Sequence, residues 1–242
     1  MQVKLTRQMS RSTAFLLSYT YGHSLDNGPA PFDLGHINND VPQNPHNLTA
    51  EYATSDSDIR HNLIFSGEYR LPFGKGQTFG ANWGPLANSI ASGWKFGGIF
   101  SMHTGTPVNV ILGNDPKSAL AGVRPNVKGN PNLARGTRNI LEYFDTAAFS
   151  EPAIPSGASY AYGNAGRNLI AGPGYINVDG SLAKEYTLEN RWTLQLRAEA
   201  FNGMNSVHYS NPDGDFNSGT FGQINHTMGD NRKAQLAAKF IF

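Results

Sequence analysis

The sequence contains no cysteine among its 242 residues. Disulfide frameworks and thiolate metal sites are therefore excluded, and an oxidising compartment would leave the chain unchanged. Charge is also scarce: charged residues make up 15% of the chain, and 19 Lys and Arg against 18 Asp and Glu leave a formal net charge of +1. A chain so close to neutral lacks the basic surface that nucleic-acid binding requires, so we expect no nucleic-acid partner.

Long apolar runs are missing as well. No stretch approaches the ~18 consecutive apolar residues that predict a membrane helix. The first residues, Met1–Leu5, lack the basic start and apolar core of a signal peptide, which predicts either a cytosolic protein or a chain whose true beginning lies upstream. A transmembrane β-barrel stays possible, because its lipid-facing and lumen-facing residues alternate and escape a hydropathy search.

Glycine, proline and aromatic residues are plentiful. The chain has 27 Gly, 14 Pro, 14 Phe, 10 Tyr and 3 Trp. Glycine and proline favour turns, whereas aromatic residues favour strands and membrane-interface belts. The composition therefore predicts an all-β protein.

The clearest pattern is a two-residue alternation in the last third of the chain. Between residues 191 and 200 the apolar members are Trp192, Leu194, Leu196, Ala198 and Ala200, and the polar members are Arg191, Thr193, Gln195, Arg197 and Glu199. Such a period predicts a strand with one polar face. A similar run over Tyr175–Leu188, followed by a turn at Glu189–Arg191, predicts a hairpin.

The final segment, Arg232–Phe242, alternates in the same way and ends on an aromatic residue. An apolar terminus is costly in a soluble protein but suits the outer surface of a transmembrane barrel. A last strand ending in Phe resembles the signal read by the outer-membrane assembly machinery, which implies that role for Phe240 and Phe242. The alternative is a core strand of a soluble sandwich, since alternation alone does not distinguish lipid from a protein core.

The two predicted faces carry our candidate site residues. We expect lipid contact for Trp192, Leu194, Leu196, Leu236, Phe240 and Phe242, and a lumen position for Gln195, Arg197, Glu199, Lys233 and Lys239. Arg197 and Glu199 are expected to form an ion-pair ladder with Gln235 or Lys239, as an ordinary structural device of a sheet. Lys184 lies on the apolar side, where we expect it to extend towards the interface.

Five further segments complete the reading of the chain. Four of them are predicted strands, namely Val3–Gln8, Thr13–Tyr21, Arg60–Leu71 and Trp94–Leu112. The fifth, Trp83–Ser92, is a predicted helical turn. Gly105-Thr106-Pro107 is expected to kink or bulge the fourth of these strands. The total is roughly seven long strands, a length suited to a membrane.

Short and long connections alternate between these strands. The short ones are Ser10–Ser12 and Glu189–Arg191, and the long ones are Gly22–Ser57, Leu112–Pro173 and Ser206–Asp230. Short periplasmic turns and long extracellular loops are typical of outer-membrane barrels. An odd number of strands leaves the first and last strands parallel, so the chain is predicted to be an incomplete antiparallel barrel.

Nine sequence segments bear a family resemblance. They are 18–26 (SYTYGHSLD), 58–61 (DIRH), 71–74 (LPFG), 93–95 (GWK), 104–107 (TGTP), 143–149 (YFDTAAF), 163–168 (GNAGRN), 172–174 (GPG) and 197–202 (RAEAFN). Together they resemble the C-terminal part of a TonB-dependent outer-membrane receptor of the Oar-like group, which carries a carboxypeptidase-regulatory-like domain.

The resemblance implies a bacterial outer-membrane barrel gated by a plug and energised through the TonB complex. Residues 1–242 would be the C-terminal portion of that barrel, with the plug and the earlier strands absent. The implied partners are outer-membrane lipid, the barrel assembly machinery through the C-terminal Phe, and the TonB complex only through the missing N-terminal part.

The sequence shows no catalytic, cofactor or metal motif. The histidines lack helical metal-ligand spacing, and no serine occupies a nucleophile elbow, so we expect neither an enzyme nor a cofactor. Asp56, Asp58, Arg60 and His61 are expected to anchor a loop. Two alternative functions remain: a soluble or surface-displayed carbohydrate-binding protein or adhesin, stacking sugars on Trp83, Tyr160 and Tyr162, and a small independent porin.

Overall fold

The computed structural model describes residues 1–10, 12–28, 42–113, 122–188 and 192–242. The protein contains a seven-stranded antiparallel sheet in which each strand pairs with the next strand along the sequence. The strands are β1 (Gln2–Ser10), β2 (Thr13–Tyr21), β3 (His61–Arg70), β4 (Trp94–His103), β5 (Tyr175–Leu188), β6 (Trp192–Phe201) and β7 (Lys233–Ile241). The all-β prediction and the number of strands are confirmed. The predicted turn at Glu189–Arg191 lies outside the described residues, as does Arg11 in the predicted turn Ser10–Ser12.

The strand registers sort the side chains onto two faces. Phe65 lies opposite Phe100, Phe100 opposite Val178, and Leu194 opposite Phe240. Because side chains alternate along a strand, these pairs define one face, here called the apolar face. Its members include Phe15, Leu17, Leu63, Phe65, Phe96, Phe100, Met102, Ile176, Val178, Leu182, Trp192, Leu194, Leu196, Leu236 and Phe240.

The opposite surface, here called the polar face, carries Lys95, Asn177, Asp179, Glu185, Gln195, Arg197, Glu199, Lys233, Gln235 and Lys239. All five predicted lumen residues lie on it. All the predicted lipid residues lie on the apolar face, including Phe242, whose ring lies 6.0 Å from that of Trp192. That these faces meet lumen and lipid stays a prediction.

The sheet is open. β1 and β7 form its two edges, and no ladder joins them among the described residues. Since every neighbouring pair is antiparallel, seven strands leave β1 and β7 running in the same direction. The two edges therefore cannot pair with each other in an antiparallel manner, and the prediction of an incomplete barrel is confirmed.

β4 ends earlier than predicted. The sequence predicted a kinked strand over Trp94–Leu112, but β4 stops at His103, and Pro107–Val108 instead pairs with Ile170–Ala171. At Gly105 a Cβ would lie 2.1 Å from the Gly172 carbonyl oxygen, so the chain leaves the sheet to pack against another loop. The kink was the wrong interpretation because glycine and proline end the strand here.

The predicted helical turn is α1 (Pro85–Ala91), in the connection between β3 and β4. Pro85 starts the helix, where a missing N–H costs nothing. Lys184 is buried, and its ammonium group donates to carbonyls at the end of α1, so its side chain extends towards the end of the sheet opposite the long loops; that this end lies at the membrane interface stays a prediction. Within the described ranges, no helix has the length and apolar character needed to span a membrane.

The three long connections meet at the opposite end of the sheet from α1. We call their described residues, 22–28, 42–60, 104–113, 122–174 and 202–232, the loop cap. Phe144, with no exposed surface, lies at the centre of the cap core, and Phe149 and Phe221 contact its ring edge to face at 5.8 and 5.2 Å. Val108, Val110, Ala165 and Ile170 complete the buried cluster.

The long connection between β4 and β5 contains local structure. Asn126–Val127 pairs with Phe149–Ser150, and a 3-10 helix covers Thr146–Ala148. In the connection between β6 and β7, a single antiparallel bridge joins Thr227 to Tyr209. The main apolar core of the described chain thus lies in the loop cap, whereas both faces of the sheet remain largely uncovered.

Candidate functional site

Charged and amide side chains form a chain of hydrogen bonds across the polar face. The Lys95 Nζ atom lies 2.6 Å from Glu185 Oε1, and Gln195 Nε2 donates to the same oxygen at 2.9 Å. Arg197 then donates to Gln195 Oε1 at 2.9 Å. These side-chain bonds join the three strands β4, β5 and β6 in addition to the backbone hydrogen bonds between them.

The network continues to the edge of the sheet. Arg197 Nη1 lies 3.2 Å from Glu199 Oε1, and Gln235 Nε2 donates to the other oxygen of Glu199. The expected ladder therefore forms, with Gln235 as its partner on β7. Lys239 lies opposite Gln195, and Lys233 contacts Asp230 at 2.8 Å instead of joining the network.

Sequence reasoning missed the roles of Lys95 and Glu185. Both occupy polar positions of their own alternating patterns, so their face could be read from the sequence. Their contact could not, because it depends on the register that places Lys95 opposite Ala183 and Glu185 opposite Gln195. The resulting surface is hydrophilic but internally paired, which suits a wall in contact with water or a polar solute.

The junction between β2, β3 and the loop cap is anchored by buried polar groups. Asp58 accepts hydrogen bonds from the Ser24 amide at 2.8 Å and contacts His23 Nδ1 at 3.0 Å. Asn168 Nδ2 donates to Asp56 at 2.5 Å. The expected anchoring role of this segment is confirmed for the two aspartates.

A buried ion pair ties two long connections together. Arg124 and Glu51 are each 2% exposed, and the guanidinium meets the carboxylate through two bonds of 2.7 and 2.9 Å. Arg124 Nε also donates to the Ala165 carbonyl at 2.8 Å, and the Gln43 amide N–H donates to Glu51. The paired charges thus have polar neighbours on several sides, which a buried pair requires.

The third long connection has its own polar anchor at Asp213. Burial would raise the pKa of this carboxyl, but hydrogen bonds from Ser218, Thr220 and the Asp215 N–H outweigh it and hold the pKa below its ordinary value. The Thr220 hydroxyl donates at 2.7 Å and the Asp215 amide at 3.0 Å. Asp213 is therefore ionised at neutral pH and holds residues 213–220 in a tight loop.

A cavity of about 890 Å³ lies where the loop cap meets the ends of β3, β4 and β5. Among the described residues, its apolar lining includes Met102, Ile170 and Ile176, and its cationic lining includes Arg60, Arg135 and Arg138. Asp58 is the one acidic residue of this described lining, and it already faces His23 and Ser24. This size and mixture of lining groups suit a small organic ligand that carries hydrogen-bond acceptors.

One wall of this cavity is fixed by Arg138. Its Nε donates to the Leu133 carbonyl at 2.7 Å, and its guanidinium carbon lies 5.2 Å from the centre of the Tyr143 ring. Arg135, by contrast, is exposed. The cavity therefore has one held arginine and one outward arginine on the same short loop.

The resemblance segments in the cap serve structural purposes. Phe144 and Phe149 supply the cap core, and Asp145 caps the 3-10 helix by accepting from the Ala147 amide at 3.0 Å. Asn168 adopts a left-handed φ of 58° and donates to the Thr54 carbonyl at 2.7 Å. Burial lowers the pKa of neighbouring Arg167, whose side chain is 5% exposed and contacts Asp26. These motifs build the cap that frames the cavity.

The residues proposed to stack a sugar are not brought together. Tyr160 and Tyr162 lie in the loop cap with ring centres 5.3 Å apart, whereas Trp83 lies beside α1 at the other end of the sheet. Within the described part of the chain, no group of three or more His, Asp or Glu side chains has the arrangement of a metal site.

Residues 1–235 match a family model described as an outer membrane beta barrel domain. The match begins with the first strand and reaches into β7, so it includes the loop cap and both faces of the sheet. Searches among curated proteins and solved structures find no match.

Proposed function

This chain belongs to the outer membrane beta barrel domain family, and we propose that it forms part of the barrel of a TonB-dependent receptor of the Oar-like group. Membership of the family places the protein in the bacterial outer membrane. Within the proposal, the chain serves energised uptake of a ligand and has no catalytic role.

The observation that carries the proposal is the open sheet with parallel edge strands. Bacterial single-chain barrels have even strand numbers, because antiparallel closure requires them. A seven-stranded sheet that ends on two parallel edges needs further strands, which a large transporter barrel with a plugged lumen would supply. The segments resembling Oar-like receptors, several of which build the loop cap, add the TonB-dependent part of the proposal.

Three partners follow from this proposal. Outer-membrane lipid covers the apolar face, and the barrel assembly machinery recognises the C-terminal Phe240 and Phe242. Both rings pack beside Trp192, at 5.1 and 6.0 Å, so the three aromatic residues present one surface. The TonB complex acts through a plug elsewhere in the parent protein.

A small independent porin is the second candidate, favoured by the continuous polar face. The two candidates differ in whether the chain closes alone. When the isolated chain is refolded in detergent and added to planar bilayers, we expect no discrete, reproducible channels, because two sheet edges stay unpaired. A monomeric, heat-modifiable species with reproducible conductance would instead establish the porin.

The TonB-dependent part is tested in the bacterium that carries the full-length gene. Growth on a nutrient taken up by the parent protein should require both that gene and the TonB protein. Growth that requires the gene but persists without the TonB protein would contradict energised uptake, and would leave a passive barrel.

The assignment of the two faces to lipid and lumen leads to a direct prediction for the edge strand β7. Leu236 is 87% exposed and lies opposite Ala198, so it has little protein packing to lose. If lipid covers it, Leu236→Arg should destabilise the folded barrel by ~2–4 kcal/mol near mid-membrane. Gln235→Arg on the polar face keeps a donor for Glu199 and should be nearly neutral. Denaturant titration of the full-length receptor in lipid vesicles measures both, and equal effects would contradict the assignment of the faces.

A further inference from the structure

The connection between β3 and β4 exposes apolar side chains at the end of the sheet opposite the loop cap. Phe73, Phe79, Trp83, Leu86 and Ile90 all lie at the surface, with Leu86 77% and Ile90 63% exposed. Leu86 and Ile90 are four residues apart in α1 and therefore share one side of the helix. From Leu71 to Gly93 the only charged residue is Lys75.

The aromatic members of this connection are already assembled. The ring of Phe73 is stacked on that of Trp83, with centres 6.3 Å apart and an interplanar angle of 15°, and it lies 5.8 Å from that of Phe79. Lys75 is exposed, and its backbone amide donates to the Asn88 side-chain oxygen at 2.6 Å. We call residues 72–92 the aromatic foot.

Lys184 fastens the aromatic foot to the apolar face of the sheet. It lies opposite Trp94 and Leu196 in the registers, which places it on that face, yet it is only 3% exposed. Its Nζ donates to the Ile90 carbonyl at 3.0 Å and to the Ser92 carbonyl. These carbonyls belong to the C-terminal end of α1, where backbone oxygens lack helical partners and carry partial negative charge.

Aromatic rings shield the same ammonium group. Lys184 Nζ lies 4.9 Å from the centre of the Tyr186 ring and 5.3 Å from that of Trp94. The Trp94 indole N–H donates to the Ile90 carbonyl at 2.9 Å, which adds a second fastening. The ammonium group of a lysine on an apolar face is thereby stabilised by helix carbonyls and aromatic ring faces. The same contacts hold the end of the helix against that face.

We propose that the aromatic foot is a membrane-interface anchor. It inserts into the membrane leaflet at the end of the barrel opposite the loop cap. The occupant of its surface is lipid, because the foot is continuous with the apolar face through Trp94, Lys184 and Tyr186. Tryptophan favours the headgroup level, and an apolar helix side with few charges favours burial at the boundary of headgroups and acyl chains. A soluble partner would be expected to require more polar and charged groups at the rim of the surface.

Residues 1–242 contain no cysteine, so one introduced cysteine can carry a fluorophore sensitive to its environment once any cysteine elsewhere in the full-length receptor has been replaced by serine. Leu86→Cys labels the aromatic foot, Leu141→Cys labels an exposed site of the loop cap, and Leu236→Cys labels the apolar face. Each labelled full-length receptor is placed in vesicles of phosphatidylcholine and phosphatidylglycerol. Quenching is then measured with spin-labelled lipids and with aqueous iodide.

We expect the label at position 86 to lose most of its emission to lipids spin-labelled near the headgroup and to be protected from iodide. The label at position 141 should show the reverse. If the label at 86 is as accessible to iodide as that at 141 while the label at 236 is protected, the anchor is wrong. Exposure of both 86 and 236 to iodide would contradict the anchor together with the lipid contact of the apolar face.

The role of Lys184 is tested in the same system. Lys184→Met keeps an apolar side chain of similar length but has no donor for the Ile90 and Ser92 carbonyls. We expect the label at 86 to lose most of its lipid quenching while the label at 236 is unchanged. Lys239→Met on the polar face is the matched control and should alter neither. Unchanged quenching at 86 in Lys184→Met would overturn the fastening.

Discussion

Replacing Arg124 with methionine should destabilise the loop cap by about 3–5 kcal/mol, because it leaves the Glu51 carboxylate buried without its counter-ion. Glu51 is 2% exposed, and both of its oxygens face the guanidinium at 2.9 Å or less. The Arg124 side chain also holds the Ala165 carbonyl. Hydrogen exchange of the Gly163 and Ala165 amides reports the loss, since both bond to carbonyls of residues 124 and 125.

Two variants separate the buried pair from an ordinary ion pair. Lys233→Met breaks a pair whose members are 60% and 76% exposed, and such surface pairs contribute at most about 1 kcal/mol. The double variant Arg124→Met with Glu51→Met removes both charges, and we expect it to recover much of the lost stability. If Arg124→Met and Lys233→Met have equal effects, the buried pair does not hold the cap together.

Replacing Phe144 with alanine should destabilise the loop cap by about 3–5 kcal/mol. The side chain has no exposed surface and lies between Phe149 and Phe221, so its removal leaves a cavity that the fixed surrounding loops cannot close. Limited proteolysis of the cap and the near-ultraviolet circular dichroism of its aromatic residues measure the change. The far-ultraviolet signal of the sheet should persist, because the apolar cluster lies in the loops.

Ile154→Ala provides the matched control for the cap. Ile154 lies in the same connection but is 42% exposed, and surface substitutions of this kind usually change stability by less than about 0.5 kcal/mol. Phe144→Leu, which keeps most of the buried volume, should fall between the two. Cleavage of Phe144→Ala at the rate of Ile154→Ala would show that the cap does not depend on this core.

The wall of the barrel was readable from the sequence because strand alternation is a local property. β2 and β5 begin and end at the predicted residues, Thr13–Tyr21 and Tyr175–Leu188. Trp192, Leu194 and Leu196 share one face for the same reason, as neighbours two residues apart on a strand must lie on the same side. The outer-membrane location was implied by the resemblance to TonB-dependent receptors rather than by alternation alone, and it agrees with the family match.

The cavity and the loop cap that surrounds it could not be predicted from strand alternation. The sequence placed Arg60 at a loop–strand junction, but gave no reason to bring it near Arg135 and Arg138. That arrangement requires residues 104–113 to leave the sheet and pack against residues 170–172. Where β4 ended was misread because glycine and proline within an alternating run indicate either a bulge or a strand end, and packing against another loop decides between them.

The sequence by itself determined the number of long strands and the two faces of the sheet, because side-chain alternation depends on neighbours along the chain. Only the tertiary structure decided that Glu51 meets Arg124, 73 residues away, and that Lys184 meets the end of α1 at Ile90, 94 residues away. Contacts between residues so far apart along the chain produce no periodic pattern in the sequence. Their pairing depends on the path of the loops and on the cost of burying a charge without a partner.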